Sequence, residues 1–154
     1  MPDFEISRDI NIAAPPSTVF GLIDDFHQWR HWSPWEGLDP NLHRDYSTDP
    51  AEGVGSWYEW SGNRKAGAGR MTITAAAPDE TVDIELAFSK PFAATNRVRL
   101  TLEPDGAGTH VTWTMTGTTT GVMGVIHRVM PMDTITGRGF EKGLRQLKDR
   151  AEQR

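Results

Sequence analysis

Three runs of sequence decide the fold, and they read TVDIELAF (81–88), NRVRLTLE (96–103) and THVTWTMT (109–116). Apolar and polar side chains alternate in each run, and in the first of them Val82 and Ile84 alternate with Asp83 and Glu85. A period of two residues is typical of a β-strand with one buried face. The tripeptide PDG at 104–106 is typical of a tight turn between two such strands. The runs therefore predict an antiparallel sheet that is apolar on one face and solvated on the other.

The predicted sheet extends toward the N-terminus of the chain. Between about residues 43 and 117, strand-like segments are separated by turn residues such as Gly62 and Asn63. Another strand is predicted at 4–12, where isoleucines alternate with polar residues and Arg8 is the one charge on the apolar face. Together these segments predict a sheet of about six to seven strands.

Two short helices are predicted after the first strand. Pro15 and Pro16 end that strand and suit the first turn of a helix. Apolar residues at helical spacing continue over 17–26, which predicts a short amphipathic helix. A second short helix or turn is expected to contain Trp29 and Trp32.

A long helix is predicted near the C-terminus, where apolar residues recur at spacings of three and four between Met132 and Ala151. Gly137, Gly139 and Gly143 lie within this helix, and each lowers its stability by roughly 1 kcal/mol relative to alanine. These glycines predict a close approach of the helix to the sheet, with a bend or space for a ligand as the alternatives. The whole pattern predicts an α+β fold in a single domain, residues 1–154.

Composition argues against several functional classes. The chain of 154 residues has a formal net charge of -5 and no cysteine, so no disulfide or thiolate site can form. No basic cluster is available to neutralise phosphates, and therefore no nucleic-acid partner is expected. Neither a secretory signal nor an apolar run long enough to span a bilayer is visible. We expect a cytoplasmic monomer or homodimer with no membrane span, no metal site and no cofactor.

The order of elements resembles that of a known superfamily. With this order come PP at 15–16, WSPW at 32–35 and FEKGL at 140–144. The chain, from about residue 4 to 151, is similar to the START-like superfamily, also called SRPBCC or Bet v 1-like, and most of all to its polyketide cyclase/dehydrase branch. The resemblance implies a helix-grip fold, in which a curved antiparallel sheet wraps around the long C-terminal helix. It also implies a cavity for an apolar ligand between sheet and helix.

The candidate cavity wall consists of residues on the apolar faces of the strands and at the start of the long helix. For any one of them, a purely structural role in the core is the alternative. The predicted wall residues are Tyr58, Trp60, Met71, Ile73, Ile84, Leu86, Val98, Leu100, Trp113, Met115, Met132 and Ile135.

Two tryptophans, Trp32 and Trp35, are candidates for the mouth of the cavity. The alternative is an aromatic plug beneath a loop, and the sequence favours neither interpretation. We include both residues among the predicted ligand-binding positions.

Polar residues in such a cavity would orient a ligand or transfer protons. Arg8 and Tyr58 are predicted to point inward, and His127 and Asp133 lie near the start of the long helix. A histidine–aspartate pair can supply a general acid and base. However, sequence spacing does not bring His127 and Asp133 together, so we assign no catalytic residue.

The leading hypothesis for function is binding of a small hydrophobic or aromatic molecule. The resemblance suggests an alternative, a cyclase or dehydratase acting on a polyketide-like substrate. A protein-interaction module is the second alternative. The sequence leaves open whether the protein is an enzyme, and it does not name the ligand.

Overall fold

The computed structural model describes residues 4–33, 41–48, 50–63, 67–90, 94–117 and 132–153, and for 4, 90, 94 and 132–136 it describes the backbone only. The predicted α+β architecture is confirmed. In chain order the elements are β1 (Phe4–Ile12), α1 (Pro16–Ile23), α2 (Phe26–Trp29), β2 (His43–Tyr46), β3 (Trp57–Ser61), β4 (Ala68–Ala77), β5 (Thr81–Lys90), β6 (Ala94–Asp105), β7 (Gly108–Gly117) and α3 (Met132–Glu152).

The strands form one curved sheet of seven strands in the order β1-β7-β6-β5-β4-β3-β2, and every neighbouring pair is antiparallel. The hairpins from β2 to β7 join consecutive strands, whereas β1 pairs with β7 along its full length. Together with α3, this sheet is the predicted helix-grip fold.

The inner face of the sheet, which we define as the face that packs on α3, contains the apolar side chains of the alternating pattern. Paired residues on neighbouring strands share a face. The pairs Val82 with Leu100 and Leu100 with Trp113 therefore form one cross-strand row on the inner face. Phe140 of α3 stacks on this row, with its ring centroid 4.3 Å from that of Trp113 and an interplanar angle of 8°.

The described part of α3 buries one stripe at helical spacing, namely Phe140, Leu144, Leu147 and Ala151. This stripe lies closest to β1 and α1. Both short helices were predicted; α2 ends at Trp29, and Trp32 lies in the turn that directly follows it. Because α2 is only four residues long, its position depends on burial of Phe26 and Trp29 rather than on helix propensity.

Arg8 lies on the inner face, as its position in β1 predicts, since it pairs with Trp113. Its Nε donates a hydrogen bond to Glu141 Oε2 at 2.9 Å, and its guanidinium lies against Gly137 of α3. A Cβ on Gly137 would collide with that guanidinium. The predicted close approach is thus found at Gly137, whereas a Cβ on Gly139 would meet no atom within 4 Å.

Candidate functional site

Burial is uneven across the inner face. Its centre is fully buried, and Ile73, Ile84, Leu100 and Trp113 are each at most 1% exposed. Toward β3, the side chains retain some solvent exposure, with 9% for Tyr58. The predicted wall residues with exposures between 5% and 9% are Tyr58, Met71, Leu86, Val98 and Met115.

Four side chains that are largely buried but keep 6–9% exposure form one line across the sheet. Tyr58 pairs with Met71, Met71 with Leu86, and Leu86 with Asn96. We call these four residues the Tyr58–Asn96 row. Neighbouring strands lie about 4.8 Å apart, so the row extends over roughly 14 Å, from a phenol ring to a carboxamide. Its middle is a thioether and an aliphatic side chain.

Trp60 and Phe88 form the next inner-face row toward the end of the sheet. Both rings are half-buried, and they meet edge to face with centroids 5.8 Å apart. Gly69 lies between them in the register, and a Cβ there would be 2.6 Å from the Trp60 indole. The absence of a side chain on Gly69 allows the indole to lie flat against the strand. This pair extends the apolar surface beyond the Tyr58–Asn96 row.

Trp32 is fully buried within a separate aromatic cluster. Its ring centroid is 4.3 Å from that of Trp29 and 5.7 Å from that of Trp113. Its indole N–H donates to the Leu22 carbonyl at 2.9 Å, and Gln146 of α3 donates to the Trp32 carbonyl at 2.8 Å. These contacts favour the aromatic plug over the cavity mouth for Trp32. Trp35 lies outside the described residues.

The predicted residues near the start of the long helix are only partly described. Met132, Asp133 and Ile135 belong to α3 by their backbone, and the structure does not describe their side chains. His127 lies outside the described residues. Their contribution to a cavity therefore stays a prediction.

The predicted wall did not include every inner-face residue, and Phe88 and Asn96 are two that it omitted. Phe88 and Asn96 follow the same alternation as their strand neighbours, so the pattern contained both positions. The alternation identifies a buried face by its apolar residues, so it does not mark a polar residue such as Asn96 as part of a wall. Asn96 is 7% exposed, and its Nδ2 donates a long contact of 3.8 Å to the Met115 sulfur.

The outer face near β3 has a different character. Arg70 lies over the Trp57 ring at 4.3 Å and donates to Glu59 at 2.9 Å. An open groove of about 500 Å³ lies at this end of the sheet, and its lining includes Asp45, Glu59 and Arg70 together with Trp60, Gly69 and Phe88. The groove therefore joins the Arg70–Glu59 ion pair of the outer face to the half-buried rings of Trp60 and Phe88, and it is an open groove rather than the enclosed apolar cavity predicted between sheet and helix.

One carboxyl group has a raised pKa, and it lies away from the inner face. Burial raises the pKa of Asp24 at the end of α1, with further contributions from the negative charges of Glu52 and Asp25. Within the described strands, the inner face contains no carboxylate or imidazole side chain. Among the described residues, no cluster of three or more histidine, aspartate or glutamate side chains could hold a metal ion.

None of the described helices is both long enough and apolar enough to cross a bilayer. The cytoplasmic location stays a prediction.

An antiparallel sheet that packs one apolar face on a long helix defines the class of helix-grip proteins. The chain belongs to the family described as polyketide cyclase / dehydrase and lipid transport, whose model matches residues 3–152. The superfamily and branch predicted from the sequence are thereby confirmed. Comparison with curated proteins yields no significant match.

Solved structures with the same fold are distant in sequence. The Aha1 dimer from Colwellia psychrerythraea has 21% identity and a TM-score of 0.67, and the match covers 97% of this chain and 96% of that one. Protein CV1439 from Chromobacterium violaceum has 16% identity and a TM-score of 0.68, with coverages of 97% and 98%. DynU16 has 14% identity and a TM-score of 0.66, with coverages of 98% and 48%. At these identities the likeness establishes the fold alone.

Proposed function

We propose that this protein is a single START-like ligand-binding domain, residues 1–154, which binds a small hydrophobic or aromatic molecule between its sheet and α3. The binding surface consists of the Tyr58–Asn96 row together with Trp60 and Phe88. Val98 and Met115 border this row on the side of the fully buried core. Of the predicted wall residues, Ile73, Ile84, Leu100 and Trp113 support this surface from the core.

The observation behind the proposal is the change in burial along the inner face. At Ile84 and Leu100 the apolar side chains are excluded from water, as in an ordinary core. Tyr58, Met71 and Leu86 are also largely buried, but 6–9% of each residue stays exposed. Apolar surface that faces water gains free energy when a ligand covers it, at roughly 25 cal/mol per Å². Aromatic rings such as Trp60 and Phe88 add edge and face contacts for another ring.

The family supports the same class of ligand. Its description joins polyketide chemistry with lipid transport, and both involve molecules that are largely apolar. One structural relative, DynU16, is a putative protein of the dynemicin biosynthetic locus. For this chain, these relationships favour an aromatic or lipid-like molecule over a charged metabolite.

A cyclase or dehydratase remains the alternative that the family suggests. Such chemistry needs ionisable groups that converge on the ligand with suitable pKa values. The polar groups of the described inner face include the phenols of Tyr46 and Tyr58, the Asn96 carboxamide and the guanidinium groups of Arg8 and Arg44, but no carboxylate or imidazole. An interaction module would need an exposed apolar patch, and Val54 is the one exposed large hydrophobic residue in the described part of the chain. The observations therefore favour binding.

Tryptophan fluorescence tests the proposal. Trp60 and Trp57 are three residues apart in β3 but lie on opposite faces, so they form a matched pair. We expect 2-naphthol and 2-methylnaphthalene to quench the fluorescence of the native protein saturably. Trp60→Leu should remove much of this quenching and weaken binding, whereas Trp57→Leu should preserve both.

Native mass spectrometry of protein purified from its own host provides the second readout. A retained apolar molecule of defined mass is the expected result. Absence of any retained molecule, together with non-saturable quenching by both naphthalene probes, would contradict the proposal.

A further inference from the structure

We infer that Asn96 is the polar recognition group of this site, and that the ligand presents to it an uncharged hydroxyl or carbonyl group attached to a ring. The inference rests on the proposed function and specifies the chemistry of its ligand. It concerns one carboxamide at the end of an otherwise apolar surface.

The position of Asn96 places its side chain on the inner face. It pairs with Leu86, and it alternates with Val98 and Leu100 along β6. The residues between them, Arg97 and Arg99, are on the outer face, where Arg99 binds Asp83. Asn96 is therefore turned away from the charged surface of the same strand and toward the Tyr58–Asn96 row.

Most of the Asn96 side chain is buried, and the hydrogen-bond partner that the structure describes for its carboxamide is a weak one. Only 7% of Asn96 is exposed, and its contact within the described residues is the 3.8 Å approach of Nδ2 to the Met115 sulfur. A thioether is a weak acceptor. Burying an amide without good hydrogen bonds costs roughly 1–3 kcal/mol in proteins. A residue of leucine size and shape would avoid this cost, so a structural role alone does not account for asparagine here.

A ligand group can provide the missing hydrogen bonds. The carboxamide has a donor, Nδ2–H, and an acceptor, Oδ1, so it can pair with a carbonyl, a hydroxyl or an adjacent combination of the two. The neighbouring side chains, Leu86, Val98 and Met115, are apolar, and a carboxylate there would be desolvated without a counter-charge from these described neighbours. The matching ligand is therefore neutral at this end, as in a phenol or an aromatic ketone.

Two probes of nearly equal shape test the inference. 2-Naphthol and 2-methylnaphthalene differ by a hydroxyl in place of a methyl group. We expect Asn96→Leu to lower the affinity for 2-naphthol about tenfold, because one buried hydrogen bond is lost. The affinity for 2-methylnaphthalene should stay the same or increase. Asn11→Leu is the control, because Asn11 lies on the outer face of β1, where its side chain contacts His110. It should leave both affinities unchanged.

The native protein provides an independent measurement if Asn96→Leu does not fold. The side-chain amide resonances of Asn96, assigned by triple-resonance NMR, should shift with both probes through the ring current, and 2-naphthol alone should add the downfield shift of a hydrogen-bonded amide proton. Equal losses for both probes in Asn96→Leu, or no such downfield shift at saturating 2-naphthol, would overturn the role of Asn96 while leaving apolar binding intact. If neither probe binds the native protein, both the role of Asn96 and the proposed function fail.

Discussion

Asp24 is a residue whose charge opposes folding at neutral pH. Burial and the nearby Glu52 and Asp25 raise its pKa, and its Oδ1 is buried without a hydrogen-bond partner in the described structure. A carboxyl group with a raised folded-state pKa favours the folded state when it is protonated. We therefore expect Asp24→Asn to raise the melting temperature at pH 7. The gain should shrink as the pH falls through the raised pKa and vanish near the unfolded value of about 3.9.

The neighbouring Asp25 provides a control of the same charge. Its carboxylate accepts a hydrogen bond from the His27 backbone N–H at 2.9 Å and caps α2. Asp25→Ala should lower stability by about 1 kcal/mol because that cap is lost. Melting temperatures measured from pH 3 to pH 8 separate the two effects. A similar rise for both variants would show that net charge, and not the environment of Asp24, is responsible.

At the scale of residues, alternation predicted which side chains share a face but not how each is covered. The alternation placed Tyr58 and Trp60 on the inner face and the equally aromatic Trp57 on the outer face. It could not separate the buried Leu100 from the more accessible Leu86, because both occupy the same phase of their strands. Coverage depends on where α3 and the connecting segments pass over the sheet, and that is a property of the tertiary structure.

The contact between Arg8 of β1 and Gly137 of α3 can be tested by comparing how alanine at Gly137 and at Gly139 changes the stability of the protein. Replacing either Gly137 or Gly139 by alanine should stabilise the helix by about 1 kcal/mol through helix propensity alone. At Gly139 the added methyl group meets open space, so Gly139→Ala should be stabilising. At Gly137 the methyl group displaces the Arg8 guanidinium from Glu141, and the gain should be reduced or reversed.

A double-mutant cycle isolates this effect. In an Arg8→Ala background, Gly137→Ala should stabilise by about 1 kcal/mol, close to the value for Gly139→Ala. Urea unfolding curves give the four free energies of unfolding. Identical effects of Gly137→Ala with and without Arg8 would contradict the proposed contact.

The C-terminal end of α3 is attached to the loop after β1. The Glu152 carboxylate accepts hydrogen bonds from Lys148 and from the Ala13 backbone N–H, and these lower its pKa. A lowered folded-state pKa contributes stability above the unfolded value of about 4.3 and loses it as the pH falls through the folded value. The melting temperature of Glu152→Gln should therefore lie below that of the native protein at pH 7, and the two melting temperatures should become equal at acidic pH. A difference that is constant with pH would exclude this charge effect.

The elements themselves were largely predictable from periodicity. Strands β5 to β7 and helix α3 have long, regular patterns, and the structure confirms them. The end of α2 was not predictable, since a four-residue helix has almost no pattern of its own. The Arg8 contact was also missed, because it joins residues 133 positions apart.

For the whole molecule, ligand binding should raise the melting temperature. A ligand that binds the folded state alone adds about 2.7 kcal/mol at one hundred times its dissociation constant. For a protein of this size that corresponds to a rise of roughly 5–10 °C. Thermal melts at increasing 2-naphthol should show a shift that grows with the logarithm of its concentration. Equal shifts for Trp60→Leu and the native protein would place the binding elsewhere.

The pairing of β1 with β7 has a consequence for synthesis on the ribosome. Thr109 at the start of β7 donates to the Ala14 carbonyl just after β1, across 95 residues of sequence. Translation at about 5–20 residues per second leaves β1 without its partner for roughly 5–20 s. During that time its isoleucines, Ile6 and Ile12 among them, face water or a chaperone. A stall in translation before β7 emerges should therefore yield a nascent chain that is sensitive to protease.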